Sequence, residues 1–79
     1  MNAIATLQKK IDQAGGIRKA ALLLEISQSY LSDIMLRKRG ISVEFASRTQ
    51  QKMGINALDL LKWQAVEDWR TYQERKGTR

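Results

Sequence analysis

The amino-acid sequence predicts an all-α domain of five helices, and three observations support that prediction. The 79 residues include no proline and are rich in Ala, Leu, Lys, Gln and Glu, which favour helices over strands. Apolar residues recur at spacings of three and four, the period of a helix with one buried face. Glycines and helix-capping residues separate these segments. A chain of this length predicts a single domain over residues 1–79, with a small core shared by all the helices.

The first two helices are predicted from the N-terminal 24 residues. Apolar residues follow the helical spacing across residues 4–14, and Gly15 with Gly16 is expected to end this helix. Residues 17–24, IRKAALLL, then predict a short second helix.

A turn and a third helix are predicted next. Residues 25–27 form the turn, and the hydroxyl of Ser27 is suited to cap a helix over residues 28–36. The sequence RKRG follows, and Gly40 is expected to close this helix.

The fourth and fifth helices are predicted from their caps and apolar stripes. Ser42 is expected to begin a helix that ends at Gly54, and Asn56 a long helix over about residues 56–75. The side chains expected to face inward from the fourth helix are Phe45, Ala46, Thr49 and Met53. The stripe on the fifth helix is Leu58, Leu61, Ala65, Trp69 and Tyr72. We expect the first half of that stripe to lie in the core.

The composition argues against an enzyme. The chain has no cysteine and no histidine, which excludes thiolate chemistry and the usual proton shuttles, and its carboxylates are not clustered as a metal site requires. We therefore expect no metal, no cofactor and no catalytic residue. The sequence has neither a long apolar run nor a secretory segment, which predicts a cytoplasmic protein that does not enter a membrane.

The charge predicts an anionic partner for the N-terminal two thirds of the chain. The formal net charge is +6, and the isoelectric point is about 10.1. Residues 1–54 carry nine Lys or Arg against four Asp or Glu, whereas residues 55–79 carry five against four. A localised basic excess of this kind is typical of nucleic-acid binding.

Residues 17–36 meet the requirements of a helix-turn-helix motif. Ala21 is the small residue where the two helices cross, Ile26 fills the turn, and Leu31 and Ile34 anchor the second helix. The side chains left on its polar face are Gln28, Ser29, Ser32 and Asp33. Gln can pair with adenine, Ser can donate or accept, and Asp can accept from the cytosine amine. A solvated face is the alternative, with Asp33 paired to Arg37, but the register of the buried anchors favours DNA reading.

Three stretches resemble known regulator families over about residues 15–72. AALLLEISQSYLSDI resembles the helix-turn-helix of the Cro and phage-repressor class, also called the Xre family. RKRGISVEFASRTQQKMGINALDLLKWQ is similar to the HigA-type antitoxins. The first helix with its Gly-Gly is more like YdaS- and Cro-type regulators. The resemblance implies a lambda-repressor-like DNA-binding domain with an extended C-terminal helix.

The resemblance also implies which residues contact DNA. Base contacts are carried over to Gln28, Ser29, Tyr30, Ser32 and Asp33. Phosphate contacts are carried over to Arg18, Lys19, Ser27, Arg37, Lys38 and Arg39.

The sequence departs from the family pattern at three positions. Glu25 replaces the usual turn glycine, so a left-handed backbone there would be strained unless the turn has another geometry. Ile17 replaces a glutamine that binds phosphate. Thr49 stands where the antitoxin pattern has an apolar core residue.

The C-terminal half of the last helix predicts a partner surface. Four short helices cannot cover it, which leaves apolar side chains exposed: Trp63, Val66, Trp69 and Tyr72. A homodimer is expected, because helix-turn-helix regulators use two half-sites about 34 Å apart. In the resembling antitoxins this region supplies dimer contacts, and a toxin is also bound.

The function predicted from the sequence is a repressor that binds a double-stranded DNA operator, with two variants open. One is an autoregulatory antitoxin with a cognate toxin, and the other is a phage-type Cro-like regulator without a toxin. A module that binds other proteins through its C-terminal helix is the rival from another class. Membrane-surface binding by that helix ranks last, because its charges are nearly balanced.

Overall fold

The computed structural model describes residues 2–77, which fold into five helices without a strand. The helices are α1 (Ala3–Ala14), α2 (Ile17–Leu24), α3 (Gln28–Met35), α4 (Val43–Met53) and α5 (Ala57–Gly77). The prediction of an all-α, five-helix chain is therefore confirmed.

The predicted N-caps begin their helices. Ser27, Ser42 and Asn56 each accept a hydrogen bond from the backbone N–H three residues later, at 3.0, 3.1 and 3.1 Å. Each bond satisfies a donor that the first helical turn leaves without a partner inside the helix. Helices α3, α4 and α5 therefore begin where the sequence predicts.

The helices α1 to α4 all end in the same backbone motif. In each, two consecutive backbone N–H groups just after the helix donate to carbonyls of its last turn. A residue in the left-handed conformation follows, directly after α1, α2 and α4 and one position later after α3. Gly15 and Gly54 occupy this position after α1 and α4, with φ of 106° and 72°. After α2 and α3 the position is filled by Glu25 and Arg37, with φ of 59° and 62°.

The predicted end of α3 at Gly40 is wrong. The N–H of Lys38 donates to the carbonyl of Asp33 at 2.8 Å, and the N–H of Arg37 donates to that of Ile34 at 3.1 Å. These bonds satisfy the last carbonyls of the helix directly after Leu36, three residues before the glycine. Residues 37–40 are consequently an exposed loop.

One core collects the apolar faces of all five helices. Its largest fully buried side chains are Phe45, Leu7, Leu24, Leu31, Ile34, Leu60 and Thr49. The inward positions predicted for α4 are confirmed. Thr49 is tolerated there because its hydroxyl donates to the carbonyl of Ala46 at 2.8 Å.

The stripe predicted on α5 is wrong at Leu58 and confirmed at Leu61. Leu58 is 63% exposed, whereas Leu60 is completely buried and Leu61 lies at the edge of the core. Positions 57, 60, 61 and 64 also have helical spacing, so the sequence offers two possible inward faces. The contacts of α5 with α1 and α4 select the face that contains Leu60.

Replacement of Leu60 should therefore destabilise the protein far more than replacement of Leu58. Leu60→Ala leaves a cavity and should lower the free energy of unfolding by about 2–5 kcal/mol. Leu58→Ala, the matched control, should change it by no more than about 0.5 kcal/mol. Urea denaturation followed by circular dichroism measures both, and equal losses would contradict this register of α5.

Candidate nucleic-acid interface

Helices α2 and α3 are joined by a three-residue turn at residues 25–27 and pack against each other. Ala21 is buried, as are Leu31 and Ile34 of α3, while Ile26 packs against the core from the turn. The small residue and the apolar anchors thus lie where the sequence predicted them. This arrangement fixes which face of α3 is turned to solvent.

The outward face of α3 carries the polar side chains that the sequence selected. Gln28 and Ser29, in the first turn, are exposed, whereas Ser32 and Asp33 are half-buried. An α-helix with its side chains is about 10–12 Å across, a diameter that the DNA major groove admits. Gln28 and Ser29 are therefore the members of the set with the freest access to a ligand.

Tyr30 has a packing role in addition to its predicted base contact. Its half-buried ring meets the ring of Phe45 edge-on, with centroids 6.2 Å apart and an interplanar angle of 69°. The guanidinium of Arg39 lies 5.0 Å from the Tyr30 ring centroid. Tyr30 thus orders a cation of the loop after α3 through a cation–π contact.

Exposed cationic side chains lie on both sides of α3 in the sequence. Arg18 and Lys19 lie in the first turn of α2, and Lys38 and Arg39 lie in the loop that follows α3. Ser27 lies between them, and its oxygen accepts from the N–H of Tyr30. The hydroxyl hydrogen of Ser27 can still donate to an anion.

Arg48 of α4 holds the turn, a role that the sequence reasoning missed. Its Nη1 donates to the carbonyls of Leu24 and Glu25, both at 3.1 Å, and its Nη2 donates to the carboxylate of Glu44 at 3.1 Å. These bonds connect α4 with the C-terminus of α2. The arginine is present in the family-like stretch RKRGISVEFASR, but nothing local in the sequence shows what it contacts.

The bonds from Arg48 offset a strained residue. Glu25 has φ 59° and ψ 42°, the left-handed conformation, which disfavours a residue with a Cβ by about 1–2 kcal/mol. Hydrogen bonds from a charged donor each stabilise by about 1.5–3 kcal/mol, enough to hold the turn in this geometry. The sequence left two possibilities for this turn, a strained left-handed Glu25 or another turn geometry. The structure has the strained, left-handed Glu25.

Arg37 faces α5 rather than Asp33. Its Nη1 lies 3.8 Å from a carboxylate oxygen of Glu67, and its guanidinium lies 5.3 Å from the ring centroid of Trp63. The sequence offered an ion pair between Arg37 and Asp33, four residues earlier, as the alternative to DNA contact. In the structure Arg37 makes these contacts with α5 instead. Arg37 is therefore partnered by α5 within the chain, while most of its side chain stays exposed.

The apolar residues predicted on α5 divide into two groups. Trp63 is half-buried against the core, whereas Val66, Trp69 and Tyr72 are 55%, 64% and 54% exposed. The rings of Trp69 and Tyr72 stack with centroids 5.9 Å apart. We call Val66, Trp69 and Tyr72 the terminal patch. An exposed group of this kind usually marks a contact with a partner.

Loss of Arg48 should destabilise the turn. Arg48→Ala removes the donors of the Leu24 and Glu25 carbonyls and should lower the free energy of unfolding by about 1–3 kcal/mol. Arg70→Ala, which removes an exposed arginine from α5, should change it by less than about 0.5 kcal/mol. Chemical denaturation of the two variants measures the difference, and equal stability would show that Arg48 does not hold the turn.

Comparisons with known proteins do not place the chain in a family. No protein-family model, curated protein or solved structure matches it.

Among residues 2–77, no helix has the length and hydropathy needed to span a bilayer. Over the same residues, no three acidic side chains are grouped so that they could hold a metal ion.

Proposed function

We propose that this protein is a sequence-specific DNA-binding repressor of transcription that acts as a homodimer. One observation carries the proposal. Helix α3 buries Leu31 and Ile34 and turns Gln28 and Ser29 to solvent, at the exposed end of a rigidly held two-helix motif. A helix presented in this way fits the major groove with its N-terminal residues toward the bases.

Base reading is assigned to the polar face of α3. Gln28 can bond to adenine through both atoms of its amide, and Ser29 can donate or accept at either base pair type. Ser32 and Asp33 lie one turn deeper and are half-buried, so they contact bases only when α3 lies well inside the groove. Asp33 then accepts from a cytosine amine.

The exposed cations supply the affinity that does not depend on sequence. Arg18 and Lys19 contact the backbone on one side of α3, and Lys38 and Arg39 contact it on the other. Ser27 donates its hydroxyl to a phosphate. Each phosphate neutralised releases counterions, which makes the affinity strongly dependent on salt. The net charge of +6 favours this mode of binding.

A homodimer places two copies of α3 on two half-sites. The terminal patch on α5 is the surface assigned to the second copy, because its apolar side chains are exposed in the single chain. Binding of the dimer at a promoter, its own included, represses transcription by steric occlusion. No cofactor and no catalytic residue takes part, and the site of action is the cytoplasm.

We further propose that the chain belongs to the Xre family and is similar to the HigA-type antitoxins. The stretches quoted above support this assignment, and the terminal patch provides a surface for a cognate toxin. The second candidate is a phage-type Cro-like regulator without a toxin. A protein-interaction module is the third, and exposure of Trp69 and Tyr72 favours it over a role limited to DNA.

Selection of bound sequences from random duplex DNA tests base reading. The wild-type protein should enrich two half-sites, and Gln28→Ala/Ser29→Ala should lose the preference. Gln28→Ala alone should weaken binding at one base position by about 1–3 kcal/mol and leave affinity for random DNA unchanged. Gln51→Ala/Ser47→Ala removes the same residue types from exposed positions on α4 and should enrich the wild-type motif. If the reading-face variant enriches that motif too, α3 does not read the bases.

Replacement of Trp69 tests the dimer. Trp69→Glu puts a charge into the terminal patch and should convert a dimer to a monomer in sedimentation velocity. Gln51→Glu introduces the same charge at an exposed position of α4, away from the terminal patch, and should leave the mass unchanged. A Trp69→Glu protein that remains dimeric places the interface elsewhere, and a monomeric wild-type protein favours a different partner for the patch.

A further inference from the structure

The loop from Arg37 to Gly40, which we call the cation loop, is attached to α5. The N–H of Ile41, directly after the loop, donates to Oε1 of Gln64 at 2.9 Å. The bond is part-buried and connects residues that are 23 positions apart. Gly40 packs beside the same amide, because a Cβ at that glycine would lie 3.4 Å from Nε2 of Gln64.

Gln64 is itself held in one orientation. Its Nε2 donates to Oδ1 of Asp68 at 2.8 Å, one turn further along α5. The two bonds fix the direction of the amide, since only its oxygen can accept from Ile41 and only its nitrogen can donate to a carboxylate. The amide oxygen of Gln64 is thus held in a fixed position, where it accepts from the N–H of Ile41.

The cation loop is held by few contacts. Its four residues are exposed, and a groove of about 450 Å³ runs between the loop and α5. Arg37 crosses this groove to reach Glu67 and Trp63, but its side chain is 62% exposed and its ion pair spans 3.8 Å. An exposed ion pair of this kind stabilises little, and Arg39 contacts Tyr30 of α3 rather than α5, so the part-buried bond to Gln64 is the main polar attachment of the loop to α5.

Arg37 also needs such an attachment for its backbone. Its left-handed φ of 62° is strained for a residue with a Cβ, and the strain would be released if the loop could move away from α5. At the other end of the loop, four residues beyond Arg37, Ile41 buries its side chain in the core and donates its N–H to Gln64. The loop is therefore held in one conformation between α3 and α5.

We propose that Gln64 is a positioning residue for DNA binding, which fixes the cation loop so that Lys38 and Arg39 meet the phosphate backbone in a preformed arrangement. This inference rests on the proposed function. Preformed cations bind phosphates without the loss of loop entropy that binding by a mobile loop entails. Gln64 touches no DNA itself, and its contribution passes through the loop, independently of the base contacts of α3.

Three variants separate this role from general stability. Gln64→Met keeps the length of the side chain and removes both polar atoms. Gln64→Glu/Asp68→Asn exchanges the donor and the acceptor, so a carboxylate oxygen still accepts from Ile41 and the new amide still donates, with the net charge unchanged. Gln73→Met is the matched control, because Gln73 is an exposed glutamine on the same helix.

Hydrogen exchange on the free protein measures the attachment without DNA. The Ile41 amide should exchange roughly fivefold faster in Gln64→Met than in the wild type, the factor expected from loss of one hydrogen bond. It should remain at the wild-type rate in Gln73→Met and in the exchanged pair. Equal rates in Gln64→Met and the wild type would overturn the inference.

Duplex titrations at several salt concentrations measure the consequence for binding. Gln64→Met should lose roughly fivefold in affinity on every sequence and reduce the salt slope by about 1–2, while the order of preferred bases stays the same. The exchanged pair should restore both quantities. An unchanged salt slope, or a changed base preference, would overturn the positioning role while leaving the proposed function standing. A wild-type protein that binds no duplex would overturn both.

Discussion

Helix α3 lies between two left-handed residues that are not glycine. Glu25 precedes the helix and Arg37 follows it, and each has a φ near 60°. A residue with a Cβ keeps this conformation only where its surroundings require it. Here the backbone bonds at the ends of α2 and α3 are reinforced from other helices, through Arg48 of α4 and Gln64 of α5. The orientation of the polar face of α3 thus depends on contacts more than 20 positions away in the chain.

Through Arg48 and Gln64, helices α4 and α5 have different roles in the proposed function. Arg48 holds the entry to α3 and so governs how the bases are approached. Gln64 holds the exit and so governs the cations that follow. Helix α5 then has two sections: its first half completes the core and supports the loop, and its second half carries the terminal patch. In the proposed function, one continuous helix therefore supports the loop that would contact DNA and carries the surface that would contact a partner.

Much of the fold could be predicted because its signals are local. The caps at Ser27 and Ser42 and the glycines after α1 and α4 act within four residues of the helix ends they determine. The face of α5 could not be predicted, since Leu58 and Leu60 both fit a helical stripe and only packing distinguishes them. The attachments made by Arg48 and Gln64 were missed for a related reason: their partners are distant in sequence. The residues proposed to contact DNA were selected from the sequence, and their exposure or burial was found only in the structure.

Backbone amide chemical shifts, followed as a mixed-sequence duplex is added at low salt, test the central claim most directly. If α3 and the cations around it form the DNA-binding surface, the shifts should change at Arg18, Lys19 and residues 27–33 and 37–40. They should return toward their free values as salt is raised, because phosphate contacts dominate such binding. Residues 66–77 should be unaffected, because the terminal patch is already covered in the proposed homodimer. Changes confined to residues 66–77, or no changes at all, would contradict a DNA-binding role for α3.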